Sequence, residues 1–476
     1  MSEVAHVKAL VGGERLSVDG AGFETVDPYR RQVVARVDDA SKEVVARAIA
    51  AAGAAKPVIA ATPARERAAL LKRIADEICK RRDQLATTMA REVGKAIVDA
   101  YREVDRCPET IELSAEEAVR IEGAHIPMDA TAIGAGKLGI TLRFPVGTVA
   151  AITPYNAPLN LACHKLGPAL AAGNPIIIKP APTASLTVDL LIEACVAAGT
   201  PAGWVNSVYG FESGRHLVTD PAIDFISFTG SSAVGAEIRR QAPLKPATLE
   251  LGGNGSTIVA ADADLEAAAK VCATNSMRLA GQSCISVQNV FVHRDVVEKF
   301  QLLLLENVAA LKLGDPLDPK TDLGPVIDER AAERIVQTVA GAAKTGNASI
   351  LVGGSARDAL VNPTVVRLMR PEGTLFIEEI FGPVANVVAF ESLSEPVSHI
   401  NGGRYGLQVG VFTRSIETAF QLARSLRVGG VIINGSSTWR SDQAPYGGVK
   451  DSGAGREGPR FAIREMTEER FIVFNT

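Results

Sequence analysis

The chain has 476 residues, of which 47% are hydrophobic and 22% are charged, and its formal net charge is −4 at pH 7. This composition is ordinary for a globular protein, and the length fits two or three subdomains. The weak negative charge gives no sign of a nucleic-acid partner. No run of 18 uninterrupted apolar residues is present and the first residues lack a signal-peptide pattern, so we expect no membrane span and a cytoplasmic location.

Residues 41–122 are rich in Ala, Arg and Glu, and their apolar residues recur three and four positions apart, which predicts helices. From about Pro145 the pattern changes to short apolar runs, with helical stretches at 183–198 and 231–241 between them. This alternation predicts a parallel sheet with helices on both faces. The predicted strands are 149–152, 175–179, 205–208, 225–228 and 248–251.

A second alternating region starts near Gly253 and predicts a second α/β domain. The predicted helices are 264–280 and 295–311, and the predicted strands are 287–293, 384–390 and 430–434. We therefore expect two α/β domains with the loop that carries Cys284 between them.

The cysteines are scattered and contain no Cys-x-x-Cys pair, so neither a disulfide framework nor a metal site is expected. The six positions are Cys79, Cys107, Cys163, Cys195, Cys272 and Cys284.

One apparent motif is rejected. Gly134-Ala-Gly136-Lys-Leu-Gly139 matches the G-x-G-x-x-G dinucleotide fingerprint. That fingerprint works between a strand and the start of a helix. Here the following segment, 140–145, is β-like and ends in proline.

Three side chains supply the parts for covalent chemistry at a carbonyl. Cys284 in Gly-Gln-Ser-Cys is a nucleophile, Glu250 in Leu-Glu-Leu-Gly-Gly is a base, and Asn156 in Thr-Pro-Tyr-Asn is an amide donor for an oxyanion. A lone cysteine is more often a small buried hydrophobe. The prediction therefore depends on the combination.

The motifs that hold these residues resemble, in order and over nearly the whole chain, the signature of the aldehyde dehydrogenase superfamily. They are Thr153-Pro-Tyr-Asn156, Ile178-Lys-Pro-Ala181, Phe228-Thr-Gly-Ser231, Leu249-Glu-Leu-Gly-Gly-Asn254, Gly281-Gln-Ser-Cys284, Glu378-Glu-Ile-Phe-Gly-Pro383 and Pro445-Tyr-Gly-Gly-Val-Lys-Asp-Ser-Gly453.

The resemblance implies an α/β fold with three parts and a homodimer or homotetramer. These parts are a Rossmann-like cofactor domain at 1–122 and 145–252, an α/β catalytic domain at 253–445, and a bridging β-hairpin at 123–144 that joins the tail at 459–476 in oligomer contacts.

The cofactor is expected to be NAD or NADP. Strand 225–228 runs into the glycine turn 229–235 and then a helix, a layout that suits a pyrophosphate. NAD-preferring relatives often carry a glutamate where this chain has Pro182, so the choice between NAD and NADP stays open. The candidate cofactor residues, by resemblance, are Thr153, Pro154, Tyr155, Lys179, Ala181, Pro182, Gly210, Phe228, Thr229, Gly230, Ser231, Leu251, Glu379 and Phe381.

The predicted reaction proceeds through Cys284. Its thiolate attacks an aldehyde, Asn156 and the Cys284 N–H stabilise the oxyanion, and Glu250 activates the water that releases the acid. Acylating relatives, which pass the acyl group to coenzyme A, usually lack this glutamate. A coenzyme A-acylating dehydrogenase and a non-catalytic binding protein on the same fold are the alternatives.

The expected substrate is a small anionic or hydroxylated aldehyde. The run at 434–443 resembles a subgroup acting on lactaldehyde, glyceraldehyde 3-phosphate and phosphonoaldehydes. In some of these relatives an arginine at the position of Arg440 contacts the substrate's anion. Arg102 and Arg106 share a helix face and suit an anion as well. Some phosphate-using relatives have arginine where this chain has Ser283, which favours a substrate without phosphate. Semialdehydes are further candidates.

Overall fold

The computed structural model describes residues 4–17 and 22–475. Their helices are α1 (Lys42–Ala61), α2 (Ala64–Lys80), α3 (Arg82–Val93), α4 (Ile97–Ala118), α5 (Pro158–Ala172), α6 (Ser185–Ala197), α7 (Ser213–Thr219), α8 (Ser232–Gln241), α9 (Leu265–Met277), α10 (Val297–Ala309), α11 (Glu329–Lys344), α12 (Thr374–Ile377), α13 (Ser394–Gly402), α14 (Ile416–Ser425) and α15 (Pro459–Glu465).

The strands are β1 (Ala5–Val7), β2 (Ala9–Val11), β3 (Glu14–Leu16), β4 (Gly22–Val26), β5 (Val33–Asp38), β6 (His125–Ile126), β7 (Lys137–Pro145), β8 (Val149–Ile152), β9 (Ile176–Lys179), β10 (Val205–Ser207), β11 (Phe225–Thr229), β12 (Ala247–Glu250), β13 (Ser256–Val259), β14 (Asn289–His293), β15 (Ala348–Val352), β16 (Ala356–Arg357), β17 (Leu360–Val361), β18 (Thr364–Leu368), β19 (Val384–Phe390), β20 (Gln408–Phe412), β21 (Gly430–Ile433), β22 (Gly453–Ala454) and β23 (Thr467–Asn475).

The first large sheet has the order β22-β12-β11-β8-β9-β10-β2-β3. Its five central strands, β12 to β10 in that order, are parallel. Side chains alternate between its faces: Val149 and Ala151 pack with α2, α4, α5 and α6, whereas Ala150 packs with α1 and α8. Helices therefore cover both faces, which confirms the predicted α/β fold class.

The second large sheet has the order β15-β18-β19-β14-β13-β20-β21 and is parallel except for β15. It is covered in the same way. Ile258 and Phe291 pack with α11, α13 and α14, and Val259 and Val290 pack with α9 and α10. The predicted helix 264–280 runs three residues past the end of α9, which ends at Met277.

A small third sheet has the order β23-β7-β6. Strand β7 pairs along its whole length with β23, from Pro145 opposite Thr467 to Lys137 opposite Asn475. The hairpin is thus present and pairs with the C-terminal tail within one chain, whereas its oligomer contacts and the domain boundaries stay predictions. Gly139 lies inside β7, so no helix follows the rejected glycine motif and its rejection is confirmed.

Helix α1 has the length and apolar composition of a membrane span, the one helix of residues 4–17 and 22–475 that does. It carries Arg47 and Lys56, so its apolar run is interrupted as the sequence indicated. Its residues Val45, Ala48 and Ala52 pack in the core beside the first sheet. Since a core helix has the same composition, this finding is weak evidence for a span.

Candidate active site

A cavity of about 920 Å³ opens where the carboxyl ends of the first sheet's strands face loops of the second half of the chain. Strands β8, β9, β11 and β12 end at it, which is where open parallel sheets bind ligands. Cys284, Glu379 and Phe381 line it from the other side, together with Arg440 and Tyr446. The cavity therefore brings together residues from both halves of the sequence.

Cys284 follows a backbone turn that ordinary residues rarely adopt. Leu279, Ala280 and Gly281 all have positive φ, at 56°, 52° and 69°. Such a conformation costs free energy for a residue with a side chain, and it tends to occur at functional sites. A Cβ on Gly281 would lie 1.9 Å from the carbonyl oxygen of Gly382. The turn is thus packed directly against the loop that carries Glu379 and Phe381.

The sulfur of Cys284 makes one hydrogen-bonding contact with the described residues. Its Sγ is 3.2 Å from the hydroxyl oxygen of Tyr446. Burial raises the pKa of the thiol to about 12, the carboxyl groups of Glu379 and Glu250 oppose ionisation further, and the hydrogen bond with Tyr446 and the charge of Arg440 act the other way. In the free protein the thiol is therefore neutral at pH 7.

Asn156 is held beside the nucleophile. Its Nδ2 donates to the carbonyl oxygen of Gln282 over 2.9 Å, and the side chain of Gln282 in turn accepts from the N–H of Ile327 over 3.0 Å. An amide nitrogen carries two N–H groups. One fixes Asn156 to the Cys284 loop, and the second is available to an oxyanion.

Glu250 ends β12 and is 3% exposed. Neither of its carboxylate oxygens has a hydrogen-bond partner within the described part of the chain. Burial raises the pKa of Glu250 well above its usual range, and the nearby carboxylate of Glu457 adds to this, although Arg440 and Lys165 oppose it. Since a buried group without a partner is costly, the two oxygens are placed to take up water or a proton.

A buried ion cluster lies behind Glu250. The ammonium of Lys165 donates to Thr229 Oγ1 over 2.8 Å and to Glu457 Oε1 over 2.9 Å, and Arg440 donates to Glu457 Oε2 over 3.0 Å. Lys165 is fully buried, and a buried charge is stable only when it is paired. This cluster fixes Arg440 at the cavity wall. Lys165, Glu457 and Tyr446 were not predicted from the sequence, where the one available signal was a lysine in the apolar helix α5.

The turn between β11 and α8 forms the far end of the cavity. Ser231 caps α8, and its side chain accepts from the N–H of Val234 over 3.3 Å. Lys179, at the end of β9, lines the same region, and burial lowers its pKa to about 8. The hydroxyl of Thr153 is buried there without a partner in residues 4–17 and 22–475. A helix N-terminus, a lysine and an unpaired hydroxyl fit a phosphate- and ribose-containing ligand.

Glu379 and Phe381 lie on the loop that lines the cavity between Cys284 and the α8 turn. Glu379 Oε1 accepts from the N–H of Gly253 over 3.1 Å, and burial raises the pKa of this carboxyl group to about 7. Phe381 has a φ of 52°, and its ring stands edge-on to that of Tyr155 at 6.0 Å. Both predicted residues thus face the cavity beside Cys284.

The cavity lining includes all three predicted catalytic residues and every predicted cofactor residue except Gly210. A Cβ on Gly210 would lie 1.8 Å from Asp39 Oδ1, so this glycine packs against the Asp39 side chain.

Of the predicted substrate residues, Arg440 lines the cavity. Arg102 is exposed and pairs with Asp99 at 3.0 Å, Arg106 pairs with Asp442, and Ser283 lies in the loop next to the nucleophile. Arg102, Arg106 and Ser283 are not among the lining residues, so their contact with a substrate stays a prediction.

Known proteins match the chain over almost its whole length. The model of the aldehyde dehydrogenase family matches residues 17–472. A 3-sulfolactaldehyde dehydrogenase of Priestia aryabhattai is 41% identical over 478 residues, which cover 100% of this chain and 99% of the relative.

Solved structures share the fold. Aldehyde dehydrogenase 21 from Physcomitrella patens, in complex with the reaction product succinate, has a TM-score of 0.96 and 36% identity and covers 99% of both chains. An NADP-dependent enzyme from E. coli has a TM-score of 0.95 and 32% identity, covering 99% of this chain and 98% of its own.

Proposed function

Because the chain belongs to the aldehyde dehydrogenase family, we propose that it oxidises a small anionic or hydroxylated aldehyde to the carboxylic acid, with NAD or NADP as acceptor. Membership confirms the resemblance carried by the seven motifs, and the chain is an enzyme rather than a non-catalytic binding protein. The observation that carries the proposal is the meeting of Cys284, Asn156 and Glu250 in one cavity with the α8 turn.

The first step of the proposed reaction forms a bond between Cys284 Sγ and the aldehyde carbon. The π-electron pair of the carbonyl moves to its oxygen, where the second N–H of Asn156 and the backbone N–H of Cys284 donate. One such donor is worth roughly 3–4 kcal/mol in a transition state. The attacking species is the thiolate. Since burial opposes its formation, a base must take the thiol proton. The carboxylate of Glu250, which lines the same cavity and has no hydrogen-bond partner among the described residues, would accept this proton and pass it to solvent.

The cofactor would lie between the α8 turn and the Glu379 loop, where the unpaired hydroxyl of Thr153 and the side chain of Lys179 fit its polar groups. A nicotinamide cofactor held there would supply the hydride acceptor for the carbon attached to Cys284. Phe381 would limit the position of the nicotinamide ring, and Glu379 would accept hydrogen bonds from the ribose attached to that ring. Pro182 offers no carboxylate that would repel a 2′-phosphate, and the E. coli neighbour is NADP-dependent.

Glu250 would complete the turnover. The thioester left on Cys284 is attacked by water, Glu250 takes the proton of that water, and the carbon–sulfur bond breaks to return the thiolate. The unpaired oxygens of Glu250 support this role. Hydrolysis gives a free acid, whereas transfer to coenzyme A would give an acyl thioester. Product analysis with and without coenzyme A distinguishes the two.

Arg440 supports an anionic substrate. Its guanidinium is a buried cation at the cavity wall, and its Nε has no hydrogen-bond partner among the described residues. A fixed guanidinium suits a carboxylate or sulfonate. One relative is a 3-sulfolactaldehyde dehydrogenase, whose substrate carries a sulfonate, and one neighbour was solved with succinate, which carries carboxylates. Similar proteins thus bind each of these two kinds of anion.

The test is NAD(P)H formation with a panel of aldehydes, with NAD and NADP in turn. The panel holds sulfolactaldehyde, lactaldehyde, succinic semialdehyde, phosphonoacetaldehyde, glyceraldehyde 3-phosphate and a neutral alkyl aldehyde. We expect an anionic or hydroxylated aldehyde to give the highest kcat/KM, and Cys284→Ala to abolish turnover while it keeps cofactor binding. Equal rates for the neutral aldehyde would refute the substrate class. Turnover by Cys284→Ala would refute the mechanism.

We also propose a cytoplasmic homo-oligomer. All six cysteines are free, as is usual in a reducing compartment. One face of the third sheet carries the exposed or half-buried apolar side chains Leu138, Ile140, Leu142, Ile472 and Phe474. A second copy of the chain would cover this strip.

A further inference from the structure

Tyr446 places a hydroxyl on the nucleophilic sulfur. Its oxygen is 3.2 Å from Cys284 Sγ, close enough for a hydrogen bond in which either atom could donate. Tyr446 is 5% exposed and lines the cavity. A buried phenol needs a hydrogen-bond partner, and within the described ranges the sulfur of Cys284 is the one that this hydroxyl has.

The ring of Tyr446 is fixed in a way that favours donation. The guanidinium carbon of Arg440 lies 4.0 Å from the ring centroid, and Arg440 is itself held by Glu457. A cation over the face of a phenol draws electron density from the ring, which makes the hydroxyl a better donor. Ile285 and Leu407 pack around Tyr446, and the half-buried Cys284 packs against this cluster at the cavity wall.

Among the described residues, none of the remaining charged groups near the sulfur is hydrogen bonded to it. Glu250 at the end of β12 and Glu379 on the facing loop are carboxyl groups, and as anions they disfavour a thiolate. Arg440 favours the thiolate by its charge, and its hydrogen bond goes to Glu457. Among the side chains of the described residues, Tyr446 is thus the one placed to donate directly to Cys284.

We propose that Tyr446 is a further catalytic residue, whose hydroxyl donates a hydrogen bond to the Cys284 thiolate both when it attacks the aldehyde and when it leaves the thioester. This rests on the proposed function, because it takes Cys284 as the nucleophile. The proton stays on Tyr446 throughout. Hydrogen bonds to a charged acceptor are stronger than those to a neutral one, so the contact gains strength as the thiolate forms.

The test is the alkylation of Cys284 by iodoacetamide in Tyr446→Phe, without aldehyde or cofactor, followed by mass spectrometry of the peptide that holds Cys284. The peptide readout keeps the exposed Cys79 out of the measurement. Between pH 7 and 9 the rate is proportional to the thiolate fraction. We expect a rate about tenfold lower in the variant at each pH, equal to a rise of about one unit in the pKa of the thiol.

Tyr405→Phe is the matched control. Tyr405 is also buried and also lies under an arginine, with the guanidinium carbon of Arg404 5.2 Å from its ring centroid, but it has no contact with the sulfur. The rate of Cys284 alkylation in Tyr405→Phe should equal that of the wild type. Tyr446→Phe keeps the ring under Arg440, and unchanged circular dichroism and thermal midpoint would show that the variant is folded.

Two outcomes would overturn the proposal. An alkylation rate equal to that of the wild type would show that the hydroxyl does not stabilise the thiolate. A faster rate would show that the Cys284 thiol donates to the tyrosine oxygen, so that this hydrogen bond stabilises the neutral thiol and not the thiolate. Because the assay contains no aldehyde, these results are independent of the substrate panel, whose failure would count against the proposed function alone.

In steady state we expect Tyr446→Phe to lower kcat/KM by about tenfold or more, with a cofactor Kd within twofold of the wild type. A loss confined to cofactor binding would indicate a packing role and would contradict a catalytic one.

Discussion

Pro182 is the single residue at which the cofactor choice can be tested directly. It opens a short 3₁₀ turn after β9 and lines the cavity beside Lys179. In Pro182→Glu, a carboxylate would accept hydrogen bonds from ribose hydroxyls and repel a 2′-phosphate. We expect the KM for NADP to rise by about fivefold or more while that for NAD falls, measured by initial rates with a saturating aldehyde.

Pro182→Gln is the control for this prediction, because it adds nearly the same side chain without the charge. It should leave the ratio of NADP to NAD efficiency within about twofold of its original value. If the glutamine and glutamate variants shift the ratio equally, loss of the proline and not the new charge governs cofactor choice.

At the scale of an element, the turn at 279–281 tests how far backbone geometry holds the nucleophile. In Gly281→Ala the new Cβ would meet the Gly382 oxygen at 1.9 Å with φ at 69°, so either the Cys284 loop or the Phe381 loop must move. We expect a loss of about 2 kcal/mol or more in unfolding free energy and a large fall in kcat, measured by chemical denaturation and turnover.

Gly53→Ala is the comparison for that variant. Gly53 lies in α1, and nothing lies within 4 Å of its hypothetical Cβ. Alanine there should stabilise the protein by roughly 0.5–1 kcal/mol and leave kcat unchanged. If Gly281→Ala is as stable and as active as Gly53→Ala, the turn at 279–281 is not rigid and does not hold the nucleophile in place.

The sequence predicted the five parallel strands at the centre of the first sheet and missed others, among them β2 and β13. Strands β8, β9 and β11 stand out because both faces are buried. Strand β13 follows directly on Gly-Gly-Asn-Gly and was not separated from that loop. Helix α9 ends early because the chain turns left-handed at Leu279, a conformation that the residue type does not reveal.

The site was predicted where a residue belongs to a local motif and missed where its role depends on distant partners. Cys284, Glu250 and Asn156 sit in recognisable motifs. Lys165 is buried because Glu457 lies beside it, and 292 positions separate the two. Arg102 and Arg106 share a helix face as expected, but their ion pairs with Asp99 and Asp442 come from the tertiary structure.

At the scale of the whole molecule, the third sheet predicts how copies of the chain associate. Phe474 and Leu138 are opposite each other across β23 and β7, and both are about half exposed. Phe474→Glu would place a charge in the proposed contact, where it has no partner. We expect this variant to sediment as a smaller species than the wild type in velocity ultracentrifugation.

Asn475→Glu provides the control, because it adds the same charge one residue along β23, on the opposite side of the strand. It should sediment like the wild type. Identical sedimentation of Phe474→Glu and the wild type would exclude this strip as the contact surface.

The pairing of β7 with β23 also determines the order in which the protein can be completed during synthesis. The side chains of Arg143 and Thr467 are hydrogen bonded although 324 residues separate them. One edge of β7 therefore stays unpaired until most of the later chain has left the ribosome. An unpaired strand edge can hydrogen bond to strands of other chains. Arg440, Tyr446 and Glu457 emerge in that same late stretch, so a nascent chain stalled before them would hold Cys284 without its hydrogen-bond partner and without the arginine over that tyrosine.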